Sequence, residues 1–167
     1  MKYLHPIVIR LSMVSLFTDM ASEMLYPIMP VYLKSIGFSI ILIGVLEGIA
    51  EAVAGFSKGY FGNWSDHSGK RLPFVQIGYS LSAISKPLIG LFSNVWWIFG
   101  ARTMDRLGKG IRTGARDAML SDVSSEKDHG KVFGFHRSMD TLGAVAGPAL
   151  ALLFLYYYPG EYSLLFF

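Results

Sequence analysis

Five long apolar stretches, each interrupted by a short polar segment, organise this chain of 167 residues. They run near residues 7–33, 40–61, 72–92, 95–120 and 132–158, and each reaches the roughly 20 residues that a helix needs to cross a bilayer. The interruptions are Lys34-Ser35-Ile36-Gly37, the polar loop around Asp66, Ser93-Asn94, residues 121–131 and Pro159-Gly160. A sixth apolar run begins at Tyr162 and reaches Phe167, too short to span. The pattern predicts an all-α integral membrane fold with five transmembrane helices plus the start of a sixth. The last two turns of the fourth helix are expected to project into the cytoplasm. A bundle of buried helices in a soluble protein is the rival arrangement. The alternation of loop charge in step with the apolar stretches argues against it.

That alternation also predicts orientation. Connections after the first, third and fifth spans hold only Lys34 as a basic residue, whereas the N-terminus and the other two loops hold Lys2, Lys70, Arg71, Arg112, Arg116, Lys127 and Lys131. The positive-inside bias places the N-terminus and the Asp66 loop in the cytoplasm, in a cell (plasma or inner) membrane. Composition agrees with lipid as the solvent: 52% of residues are apolar and 16% charged, against about 25% charged in soluble domains. The net charge of +3 is small and held in loops, which argues against a nucleic-acid partner. With no cysteine there are no disulfides, thiolate metal sites or thiol chemistry. Paired-histidine metal spacing, a P-loop and a nucleophile elbow are also missing, so neither an enzyme nor a cofactor is expected.

Charges inside spans carry the chemistry, because each costs about 2.5–3.5 kcal/mol at the bilayer centre. The fourth span carries Arg102, Asp105, Arg106, Lys109, Arg112, Arg116 and Asp117 within a sector of roughly 140°. Such a face needs a watery cavity or opposite charges from other helices. The second span offers Glu47, Glu51 and Lys58 beside a stripe of Gly44, Gly48, Gly55, Gly59 and Gly62, whose spacing suits close helix packing. Glu47 and Glu51 read either as structural partners of the fourth-span arginines or as proton- or substrate-binding carboxylates. In the first span, Asp19 is placed to carry a proton and Glu23 lies nearer the outer vestibule, before the kinking Pro27 and Pro30. Lys86, the one charge of the third span, reads as a counter-ion for Glu47 or Asp19 or as a substrate contact. In the fifth span, His136, Asp140, Gly143 and Gly147 share a face about 60° wide. His136 is expected to be solvated near the cytoplasmic boundary, with Arg137 and Asp140 neutralising each other.

Four motifs give these features a family. The loop at residues 62–71 reads G-x-x-x-D-x-x-G-K-R, through Gly62, Asp66, Gly69, Lys70 and Arg71. It resembles the signature between the second and third helices of the major facilitator superfamily (MFS) of transporters, with His67 in place of a basic residue. Arg102 with Gly108 and Gly110 is similar to the superfamily's fourth-helix motif. Gly134, Gly143, Gly147 and Pro148 resemble its fifth-helix antiporter signature, without the closing glycine pair. Pro27-Ile28-Met29-Pro30 is similar to the end of the first helix in drug:proton antiporters. The resemblance covers essentially the whole chain and implies the N-terminal half of an MFS fold.

It further implies a proton-coupled secondary transporter, an exporter working by alternating access on small-molecule substrates and protons. Asp19, Glu23, Glu47, Glu51, Lys86, Arg102, Asp105, Arg106 and Asp140 would line the coupling and substrate cavity. Asp66 would bridge to Arg112 or Arg116 as a cytoplasmic gate, with Gly62, Gly69, Lys70 and Arg71 around it. Proton-driven uptake of an anionic metabolite, and a non-transporting membrane subunit or remnant, are the other readings. The implied partners are membrane lipid and a missing C-terminal half or complementary membrane chain, the present chain being expected to be an N-terminal fragment.

Overall fold

The computed structural model describes residues 4–167; Lys2, part of the N-terminal charge used for orientation, lies outside them. Among the described residues there are helices and no strands. They are α1 (Pro6–Leu25), α2 (Met29–Ser35), α3 (Ile40–Ser68), α4 (Arg71–Leu91), α5 (Val95–Asp122) and α6 (His129–Tyr157), followed by a 3-10 turn at Tyr162–Phe166. The boundaries follow local chemistry. His5 caps α1 by accepting from the Ile7 N–H ahead of Pro6 at the first helical position. Ser39 caps α3 through Leu42 N–H, and Asn94 caps α5 through Trp96 and Trp97. Helix α3 stops at Gly69, whose φ of 63° is the left-handed cap a glycine adopts without strain.

The first predicted span is not one rod. It breaks at residues 26–28, where Pro27 and Pro30 withhold two backbone donors, and resumes as the short α2. Helices α3 and α6 are long and apolar enough to cross a membrane by length and composition. The remaining rods carry more polar residues, for a reason that packing makes plain.

Helix α5 lies between α3 and α4, while α1 packs along α6. Glycine sets how closely these pairs approach. A Cβ on Gly108 would fall 2.7 Å from Gly78 O, and one on Gly114 3.0 Å from Gly62 Cα. A Cβ on Gly143 would fall 2.5 Å from Leu16 O. The predicted glycine stripe on α3 contributes less than expected. Of its members only Gly62 has a neighbour near its missing Cβ, and Gly44, Gly48, Gly55 and Gly59 border open space. The close approach of α3 and α5 comes instead from Gly110, against Ser57 and Ala54, and from Gly114.

Two apolar clusters close the ends of the bundle. One gathers Leu25, Met29, Leu33, Leu46, Ile89 and Ile98; the other gathers Val8, Leu11, Val75, Ala115, Leu120 and Val132. Along α5 the charged residues run between the two. The distribution is inverted relative to a water-soluble protein. Arg102 and Arg112 are 3% and 2% exposed, whereas Ile41, Phe56 and Trp96 are 80%, 81% and 80% exposed. Ion pairs inside and large apolar side chains outside are what a hydrocarbon surrounding requires.

Candidate functional site

Most charges on the face of α5 are paired with neighbouring helices. Arg102 grips Glu47 of α3 with both forks, Nε to Oε1 at 2.9 Å and Nη2 to Oε2 at 2.8 Å. This two-pronged geometry fixes orientation as well as charge. The other side of the Arg102 guanidinium lies 3.6 Å from Asp105. Asp105, itself buried, accepts from Ser82 at 2.6 Å and Ser85 at 3.4 Å, and pairs with Lys86 of α4 at 3.3 Å. One turn away, Arg106 reaches Glu51 at 3.2 Å and stands over the Tyr26 ring, 5.8 Å from its centre.

Further along α5 the partners change. Arg112 donates to Ser82 Oγ at 3.1 Å, stacks over Tyr79 at 4.8 Å and lies 3.8 Å from Asp19 of α1. Arg116 holds Asp117 with Nε and Nη2, donates to Ser15 at 3.1 Å and lies 3.9 Å from Asp140 of α6. Asp19, Glu23, Lys109, Arg112, Arg116, Arg137 and Asp140 meet around a cleft of about 310 Å³ bounded by α1, α5 and α6. A larger cavity of about 570 Å³, beside Phe17, Phe154 and residues 164–167, is apolar and has Lys86 as its single charge. The smaller cleft is therefore where charge chemistry concentrates.

Three expected contacts differ from those observed. Asp66 does not reach Arg112 or Arg116. It pairs with Arg71 at 2.5 Å, and Arg71 bridges on to Asp122 at the end of α5 at 2.7 Å. Arg112 and Arg116 are drawn inward by Asp19, Tyr79, Ser15 and Asp117, which leaves Asp122 as the acid nearest the loop. Lys86 serves neither Glu47 nor Asp19 but Asp105, because α4 packs on the side of α5 away from α3. His136 is not solvated: it is fully buried and bonded to Ser12 at 3.1 Å, because α1 covers that face of α6. Of the fifth-span motif, Gly143 and Gly147 are buried against α1, whereas Gly134 is open on its Cβ side and Pro148 lies within the helix. Ser12, Ser15, Ser82 and Ser85, unremarkable in sequence, supply the neutral bonds of the network. Their signal was helical spacing from charged positions.

The family model for the Major Facilitator Superfamily matches residues 11–167. The chain belongs to the major facilitator superfamily. Membership makes it a membrane protein of a family of transporters. It is 41% identical over 150 residues to an uncharacterized MFS-type transporter of Methanocaldococcus jannaschii, a match covering 88% of this chain and 37% of that protein. It is 30% identical over 156 residues to the uncharacterized MFS-type transporter YqjV of Bacillus subtilis, covering 92% and 37% respectively. With the quinolone resistance protein NorA of Staphylococcus aureus it shares 24% identity over 124 residues, 74% of this chain and 32% of NorA. Matches of 37% mean that the chain spans little more than a third of the length of these MFS relatives.

Proposed function

We propose that the protein containing this chain is a proton-coupled secondary transporter that exports small solutes by alternating access, and that this chain forms its first half. The observation that carries the reading is the cleft between α1, α5 and α6. There Asp19 lies 3.8 Å from Arg112, and Asp140 lies 3.5 and 3.9 Å from Arg137 and Arg116, all longer than the Arg102 fork, with Glu23 lining the same cleft. Loose pairs in a confined site can exchange partners when a proton or a solute arrives, whereas the closed Arg102–Glu47 fork cannot do so without breaking two bonds. Asp19 is the proton carrier in this reading, with Glu23 and Asp140 on the same wall. Glu47, Glu51, Lys86, Arg102, Asp105 and Arg106 form the charge-neutral scaffold behind it. The Asp66–Arg71–Asp122 bridge, with Gly62, Gly69 and Lys70, is the cytoplasmic latch, and the N-terminus is cytoplasmic. Gly143 and Gly147 are the pivot between α1 and α6.

Uptake of an anionic metabolite is a second reading, favoured because four cations line the cleft against three carboxylates. One experiment addresses both. The native protein, purified from its own membranes, is reconstituted in vesicles under an imposed pH gradient, with protein-free vesicles as control. A fluorescent quinolone, suggested by NorA, and citrate serve as probes. Export by antiport predicts accumulation of the quinolone in acid-inside vesicles. It also predicts at least a tenfold loss of that flux in Asp19→Asn. Citrate accumulation in alkaline-inside vesicles would replace export with anion uptake, and flux of neither probe above control would refute both.

A further inference from the structure

His136 is the one titratable side chain around the cleft that has no exposed surface. Its ring lies between α1 and α6, with Nδ1 3.1 Å from Ser12 Oγ and Nε2 3.5 Å from Asp140 Oδ2. Two atoms of this pair, His136 Nε2 and Asp140 Oδ1, are buried without a hydrogen bond. Buried polar atoms left open in this way are uncommon and ask for an explanation. For Nε2, a second proton on the ring supplies one where Nδ1–H donates to Ser12 Oγ. In the imidazolium both ring nitrogens donate, and both have an acceptor waiting, Ser12 Oγ on one side and Asp140 on the other.

The surrounding charges are arranged for that change. Arg116 and Asp117 approach from α5, Arg137 and Asp140 from α6 itself, and α1 contributes Ser12, Ser15 and, beyond Asp140, Asp19. With His136 neutral, two arginines balance two aspartates around the ring. With His136 charged, the local sum becomes +1, and three cations compete for the Asp140 carboxylate at 3.5, 3.5 and 3.9 Å. Asp140 lines the cleft and His136 does not, so a proton reaches the ring by way of the carboxyl group.

We propose that His136 is a second proton carrier of this site, loaded through Asp140, and that its charge loosens Arg116 or Arg137 from Asp140 toward the cleft. The proposal rests on the transport reading above. In the step, Asp140 takes a proton from cleft water and passes it to His136 Nε2, leaving a carboxylate facing an imidazolium. Discharge reverses the sequence.

Two measurements test it. The first follows the ring by nitrogen-15 NMR in the full protein with His5, His67 and His129 replaced by glutamine, so that His136 is the sole histidine in this chain. The ring is expected to gain its second proton as the pH is lowered. Asp140→Asn should lower its proton affinity about tenfold by removing the adjacent negative charge. A ring that keeps one proton throughout, or that titrates identically in Asp140→Asn, overturns the proposal. The second compares the pH profile of gradient-driven quinolone flux in wild type and His136→Gln. Loss of one limb of the profile in His136→Gln supports the proposal, and an unchanged profile overturns it. Ser12→Ala, which keeps the ring, is the substitute should His136→Gln fail to fold, and is expected to shift the same limb. Absence of flux in wild type would sink the transport reading, and the carrier role with it. A titrating, Asp140-dependent ring in the same protein would still locate the proton site.

Discussion

Adding one methyl group to α6 at either of two glycines of the same motif should have opposite effects. At Gly143 a Cβ would fall 2.5 Å from the Leu16 carbonyl oxygen and 3.0 Å from Met20 N, both backbone atoms of α1. Backbone cannot swing aside as a side chain can, so relief requires α1 and α6 to separate by about 1 Å to restore ordinary contact. Overpacking of this kind costs about 1–3 kcal/mol. The upper part of the range is expected here, because the separation also weakens dispersion contacts along the whole pair and stretches the Ser12–His136 bond. At Gly134 nothing lies within 4 Å of the added carbon. There alanine simply replaces a poor helix former inside a helix, a gain of about 0.5–1 kcal/mol. The assay is thermal unfolding of the full protein in detergent micelles, followed by tryptophan fluorescence, for wild type, Gly143→Ala and Gly134→Ala. Gly143→Ala should melt several degrees below wild type and Gly134→Ala at or above it. Equal stability of Gly143→Ala and wild type, or equal losses in both variants, would refute the packing assigned to α1 and α6.

Four further outcomes follow from the geometry. Glu47→Gln, which leaves the Arg102 guanidinium buried with only Asp105 beside it, should destabilise by about 3 kcal/mol; Arg102→Met added to it should recover part of that loss, read in the same melts. Breaking the partly exposed Arg71 bridge with Asp122→Asn should cost under about 1 kcal/mol of stability, while increasing cytoplasmic protease nicking near Gly69, seen on gels. The chain has no cysteine, so Asn94→Cys should react with an impermeant maleimide on intact cells and His67→Cys only after permeabilisation; the reverse would overturn the proposed orientation. Asp128, ahead of α6, is held below its ordinary carboxylate range by hydrogen bonds from Lys131 and then Ser125. A depressed folded value means that its stabilisation is present above the unfolded range and is lost as pH falls through the folded value. Wild type and Asp128→Asn should therefore differ near neutral pH and converge in strong acid, as read by melting midpoints.

The helical class, the four long rods after the first span and the need of α5 for opposite charges were legible from span length and from the angular spread of Arg102 to Asp117. A wheel shows which residues share a face but not which helix covers it, and the errors fall there. Lys86 went to Asp105 because α4 and α3 take opposite sides of α5. His136 looked solvent-facing because a polar residue near a span end usually is, and nothing in its own neighbourhood announces that α1 lies on it. The glycine stripe of α3 had the right spacing, yet the small residues that matter sit on α5, at Gly110 and Gly114. The Asp66 partner was sought too far away, when Arg71 stands five residues on across the turn. The break at Pro27 was anticipated as a kink, and two prolines three residues apart made it a full interruption.

The pairing of α5 also has a meaning for how the protein is made. A helix carrying Arg102, Asp105, Arg106, Arg112 and Arg116 is a poor passenger into lipid by itself. Three of its acidic partners, Asp19, Glu47 and Glu51, lie earlier in the chain and leave the ribosome first. Synthesis therefore delivers the countercharges before the arginines that need them, and Lys86 arrives in time to meet Asp105. Only Asp140 comes afterwards, so the contact with Arg116 forms last, as α6 docks on α1. The order of residues along the chain thus places most of the countercharges ahead of the arginines that pair with them.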